Sequence, residues 1–119
     1  KQAVAEFDKL LKANPRDSEA QAGRAQASLL LRTSNLDEQV IAAAEAHPDD
    51  LDAQLAAADL ELITGDAQAA FDRLIDLIRR TSGPERDQVR VRLLELFDTM
   101  DGADPVVKKA RRALSMALF

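Results

Sequence analysis

Two prolines constrain this chain more than any other feature. Pro15 and Pro48 lie 33 residues apart, and each closes an apolar run at helical spacing. Ala3, Phe7, Leu10 and Leu11 precede the first, and Leu36, Val40, Ala43 and Ala44 precede the second. Proline has no amide donor and clashes with the preceding helical turn, so a proline at a regular interval stops helices at a regular interval. The rest of the punctuation follows the same scheme. Asp17 offers a cap for a helix over Ser18–Arg32, and Thr33-Ser34-Asn35 is a polar break before a helix over Leu36–His47. Asp49-Asp50 opens Leu51–Thr64, and Gly65-Asp66 turns the chain into Ala67–Thr81. Gly83-Pro84 starts a helix that places Val89, Leu93, Leu96, Phe97 and Met100 on one face. Asp104-Pro105 starts the last, with Val106, Ala110 and Leu114 inward and Lys108, Lys109 and Arg112 outward. The expectation is about seven helices with short joins, which makes sequential helices antiparallel neighbours.

Composition agrees. Ala and Leu supply 39 of the 119 residues, whereas Val, Ile and Thr together supply 14, and Trp and Tyr are absent. Strands draw on β-branched and aromatic side chains, so an all-α chain is expected. The absence of cysteine excludes a disulfide framework, a thiolate metal site and cysteine catalysis. His47 is the single histidine, and its place before Pro48 suits a helix end. No catalytic, cofactor-binding or metal-ligating residue is therefore expected. No apolar run approaches the roughly 20 residues that span a bilayer. The basic face of the last helix lacks the tryptophan of a membrane-surface helix, so no membrane partner is expected. The length suits a single domain over 1–119. Lys1 falls inside an amphipathic run, as expected of a chain entered midway through a repeat.

Charge is unevenly distributed. The net charge is −5, and no Lys or Arg occurs between Arg32 and Arg73, while nine carboxylates from Asp37 to Asp66 do. Such a belt repels phosphate backbones, so no nucleic acid is expected as partner. It reads either as a solvated helical surface or as a docking face for a basic segment.

The spacing resembles tetratricopeptide repeats, whose period is about 34 residues. Ala58, Gly65, Ala70 and Leu74 stand where that repeat takes a small residue, glycine, a small residue and a large one. Ala25 and Ala43 match in the preceding unit, but Arg32 stands in place of its turn glycine. The resemblance implies antiparallel helical hairpins stacked as a shallowly curved, right-handed solenoid. Residues 1–14 would form half a repeat, 15–81 two repeats, and 82–119 a C-terminal helix pair. It also implies that the first helix of each hairpin lines a concave groove. Here that groove would comprise Glu19, Ala22, Gln26, Leu29 and Leu30, then Asp52, Leu55, Asp59, Leu62 and Ile63. This reads as an apolar floor with carboxylates at its edge, without the lysines and asparagines of carboxylate-clamping repeats. The same leucines would serve equally well to pack the hairpins together.

A narrower resemblance rests on Val91-Arg92-Leu93-Leu94-Glu95-Leu96-Phe97, Gly102-Ala103-Asp104-Pro105-Val106-Val107, Ala110-Arg111-Arg112-Ala113-Leu114 and the ending Ala117-Leu118-Phe119. With Phe7-Asp8-Lys9-Leu10-Leu11, Asn14-Pro15 and Ala22-Gly23-Arg24-Ala25-Gln26, these runs look like the C-terminal part of bacterial chaperedoxins. Those proteins carry a thioredoxin-like domain ahead of tetratricopeptide helices. The resemblance implies a cytoplasmic co-chaperone fragment that binds unfolded clients and a chaperonin or DnaK-type chaperone. Redox chemistry would reside in a thioredoxin-like domain outside this chain. Other readings remain open: a tetratricopeptide adaptor of a cell-envelope or secretion assembly, or a hydrolase using the acidic belt. Self-association is another, since Val4, Phe7 and Leu11 on the unpaired opening helix offer a face to a second copy.

Overall fold

The computed structural model describes residues 2–118; Lys1 and Phe119, the last residue of the terminal motif, lie outside them. The described residues form α1 (Gln2–Ala13), α2 (Ser18–Thr33), α3 (Gln39–Ala46), α4 (Leu51–Ile63), α5 (Ala67–Arg80), α6 (Gly83–Asp98) and α7 (Pro105–Leu118). Carboxylates start four of them. Asp17, Asp50 and Asp66 accept from the amides of Ala20, Ala53 and Ala69, and Asp104 accepts from Val106. Gly65 ends α4 at φ 99°, with its own amide on Leu62 O and the Asp66 amide on Glu61 O, a paired C-terminal closure that needs the left-handed conformation. The third helix begins three residues later than expected. Leu36 N–H returns to Thr33 O, and the Asp37 carboxylate accepts from Gln39 N–H, so residues 36–38 form a turn before helical bonding starts.

The helices stack as hairpins in an all-α, tetratricopeptide-like solenoid. Helix α3 packs chiefly on α4, α4 on α5, α5 on α6, and α7 returns onto α5. Along the other layer α2 meets α4 and α4 meets α6. Fully buried Ala58 and Ala70 provide the small surfaces that permit close helix approach. Helix α5 is central, burying Ala70, Phe71, Leu74, Ile75, Leu77 and Ile78. Phe71 meets Phe97 of α6 edge to face with ring centroids 5.0 Å apart, and the Arg111 guanidinium of α7 lies 4.9 Å from the Phe97 centroid. Each large side chain buried here contributes about 1.5–3 kcal/mol.

The curve is tighter than the shallow one expected. Helix α2 also touches α6, two hairpins further on, so the layer of first helices folds back on itself. The radius of gyration is 14.2 Å, against about 13.5 Å for a compact globule of this length. Helix α1 is the exception to this close packing: it buries no residue completely and rests on α2. Phe7 lies over Gly23, where an added Cβ would run into the ring. Asp8 pairs with Arg24 beside that contact. Phe7 is thus committed within the chain, while Leu10 stays 52% exposed.

Candidate protein-binding site

The ten side chains expected along the concave groove separate into three environments. Gln26, Leu29, Leu30, Leu62 and Ile63 come together around one open cavity of about 380 Å³. Glu19 and Asp52 are exposed to solvent and Ala22 is half-buried, all three apart from that cavity. Leu55 and Asp59 are buried, at 3% and 1% exposure. The C-terminal turn of α4 supplies Leu62 and Ile63 to the cavity, and the C-terminal part of α2 supplies Leu29 and Leu30. The remaining wall comes from Gly65 and Ala67 at the α4–α5 turn, and from Thr99 and Met100 just beyond α6. The Gln26 amide donates to Thr99 O at 3.4 Å, linking α2 to that last wall. Thr99 was not expected at a site, and Met100, which packs on the core as its place on the apolar stripe predicts, lines the cavity as well. Their signal was available only as position at the end of an apolar stripe, which says nothing about which helix they meet.

Asp59 corrects the expected picture of carboxylates at the groove edge. Arg32 donates from Nε to Asp59 Oδ2 at 2.9 Å and from Nη2 to Oδ1 at 3.2 Å, and Arg92 donates from Nη1 to Oδ2 at 2.7 Å. Glu95 accepts from the remaining terminal nitrogen of Arg32. The polar cluster therefore joins α2, α4 and α6 and holds the layer closed. Burial opposes the charge of Arg32, but hydrogen bonds to Asp59 and Glu95 outweigh it and raise its pKa. Arg92 is shifted down by burial, with Arg32 adding to the shift and Asp59 opposing it. A second arginine treats the belt alike: Arg73 of α5 donates to Glu61, Gln54 and Glu45. The stretch without bases is thus neutralised in part by the two arginines at its ends. Arg80 adds an exposed pair with Asp49 at 3.1 Å, and Asp37, Glu38, Asp50, Asp52 and Asp66 are exposed without an ion pair among the described residues.

Among known proteins, a tetratricopeptide repeat family model matches residues 32–119, most of this chain. The chain belongs to the tetratricopeptide repeat family. It is 45% identical over 113 residues to the uncharacterized protein Mb1359 of Mycobacterium bovis and to the uncharacterized proteins MT1366 and Rv1324 of Mycobacterium tuberculosis. The match covers 95% of this chain and 37% of each relative, so the chain spans little more than a third of their length. No solved structure matches.

Helices α2, α4 and α6 form one side of the stack, in a family that generally mediates protein interaction. Here Arg32, Asp59 and Arg92 occupy the middle of that side. Arg32, which departs from the repeat by replacing its turn glycine, is the residue that closes it. Apolar surface remains at the end where α4 and α6 terminate, at the cavity beside Leu30 and Ile63. None of the described helices is long and apolar enough to cross a membrane.

Proposed function

We propose that this chain is the protein-binding scaffold of a thioredoxin-like co-chaperone of the chaperedoxin kind, and that the cavity beside Leu30 and Ile63 receives apolar side chains from unfolded clients. The observation that carries the reading is the cavity itself. Leu30 is 61% exposed and Ile63 38% exposed, and both border a concave apolar surface in a family whose general role is protein interaction. Exposed leucines that line a concavity offer an anchor site to a partner, because burial of each releases water from apolar surface. The resemblance of the C-terminal runs to chaperedoxins supports the narrower identity. The relatives' greater length leaves room for a second domain in those proteins. On this reading the parent protein is cytoplasmic, the chain itself performs no catalysis or disulfide exchange, and clients pass onward to a chaperonin or DnaK-type chaperone.

Suppression of light scattering from thermally unfolding citrate synthase tests the proposal. The chain should reduce scattering, and Leu30→Asp with Ile63→Asp should abolish the reduction while the helical circular-dichroism signal persists. Equal suppression by that variant would remove the cavity from the mechanism. An envelope or secretion adaptor would instead leave scattering unchanged with either protein.

A further inference from the structure

We infer that the occupant of this cavity is a peptide segment whose apolar anchor is flanked by lysine or arginine. The inference rests on the protein-binding reading above and adds the charge of the ligand. Two helix C-termini meet at the cavity: α4 ends at Ile63 and α6 at Asp98, and Ile63, Gly65, Thr99 and Met100 all line it. The C-terminal end of a helix carries partial negative charge on its last carbonyls, and it favours a cation within about one turn. Formal charge acts in the same sense. Asp66 sits between the lining residues Gly65 and Ala67, Asp101 follows Met100, and both are exposed. Neither carboxylate has a cationic partner among the ion pairs of the described residues; each accepts only from a backbone amide, of Ala69 and Ala103 respectively. No lysine or arginine lines the cavity, and the two arginines nearest it along α2 are already paired, Arg24 with Asp8 and Arg32 with Asp59 and Glu95. The N-terminus of α5, which Asp66 caps beside the lining residue Ala67, and Arg111 near Asp98 offset part of this charge. Two helix C-termini and two carboxylates without ion pairs leave the balance negative for the residues flanking an apolar anchor. Lysine or arginine flanks gain from it, and glutamate flanks are repelled.

Amide chemical-shift titration of the 119-residue chain with three synthetic peptides tests this. The peptides share the core Leu-Ile-Leu and carry two flanking residues on each side, all Lys, all Ser or all Glu. The Lys peptide should bind most tightly, shift the amides of Leu30, Ile63 and Met100, and weaken as salt rises from about 50 to about 300 mM. Asp66→Asn and Asp101→Asn keep the side-chain oxygen that each backbone amide uses, so the fold is retained. Each should weaken the Lys peptide by about two- to fivefold and leave the Ser peptide unchanged. Equal binding of all three at the cavity would overturn the charge inference and leave the apolar-anchor reading standing. No shifts at the cavity with any of them would overturn both.

Discussion

Arg32 reaches from the last turn of α2 to Asp59 in the middle of α4 and places two parallel N–H donors on its two carboxylate oxygens, at 2.9 and 3.2 Å. The fork of a guanidinium matches a carboxylate in this geometry, which fixes the relative rotation of the two helices as well as their separation. Asp59 is 1% exposed. Removal of its carboxylate would leave Arg32 and Arg92 facing each other without a shared anion. Asp59→Ala should therefore destabilise the chain by about 2–4 kcal/mol, below the cost at a fully buried pair because both arginines keep contact with water. Urea unfolding followed at 222 nm measures it, and a loss under about 0.5 kcal/mol would show that the cluster does not hold the layer together.

The same cluster sets a coupling expectation. Arg32→Leu and Asp59→Leu should each destabilise, while the double variant should lose less than their sum, because neither residue is then left without the other. The loss of Asp59 by Arg92 and of Arg32 by Glu95 is already counted in the single variants. A double-mutant cycle from chemical denaturation should give a coupling of about 1–3 kcal/mol. Additive losses would mean that the two residues act independently despite their contact.

Gly23 is required by closeness rather than by dihedral angles. The Phe7 ring occupies the space that a methyl group would fill. Gly23→Ala should displace α1, which otherwise rests on α2 with no fully buried side chain of its own. Hydrogen exchange should show faster exchange across Gln2–Ala13 with α5 and α6 still protected. Overpacking typically costs about 1–3 kcal/mol, and the better helix propensity of alanine inside α2 offsets about 1 kcal/mol of it, so the displacement of α1 is the primary readout.

Leu55 and Leu30 were grouped together by their repeat positions, and the structure separates them. Leu55 is 3% exposed within the core, whereas Leu30 is 61% exposed at the cavity. Leu55→Lys should unfold most of the chain, since an unpaired ammonium would enter apolar surroundings. Leu30→Asp should cost only about 1 kcal/mol, since it removes no buried side chain but puts an acid in the last turn of α2. Thermal melts of the two variants distinguish these outcomes, and only the second is usable as a test of binding.

Asp98, at the end of α6, provides a pH signature. The side chain is exposed but partly desolvated, which raises its pKa; Arg111 opposes that shift and Glu95 adds to it. A carboxyl with a raised folded-state pKa favours folding in its protonated form. That contribution is fully present below the unfolded value of about 3.9 and is lost as pH rises through the folded value. Asp98→Asn should thus raise the melting temperature at pH 7 relative to wild type, and the advantage should vanish near pH 3. A stabilisation that is independent of pH would exclude the carboxyl as its cause.

Much of the fold could be read along the chain because its signals act within one helical turn. The carboxylates of Asp17, Asp50 and Asp66 cap the helices that they precede, and Gly65 adopts the left-handed turn that its position suggested. The late start of α3 had a local signal too, since Asp37 competes for the Gln39 amide, but that competition is weak and easily outvoted by apolar periodicity. Register on the first helices treats all ten groove residues alike; that five of them gather at one cavity while Leu55 and Asp59 are buried elsewhere is not legible in it.

Helical class, the order of the hairpins and the positions of the turns are properties of short segments. Proline, a capping carboxylate or an apolar period of three to four residues acts on its own neighbours, so residue order specifies them. Whether Asp59 stands at the rim or at the centre depends on Arg32 and Arg92, which lie 27 and 33 residues away and arrive from opposite sides. The cavity likewise exists only where the ends of α4 and α6 meet the C-terminal half of α2. Such placements follow from the angle at which helices cross, set jointly by packing and by charge pairing, and only the assembled layers decide it.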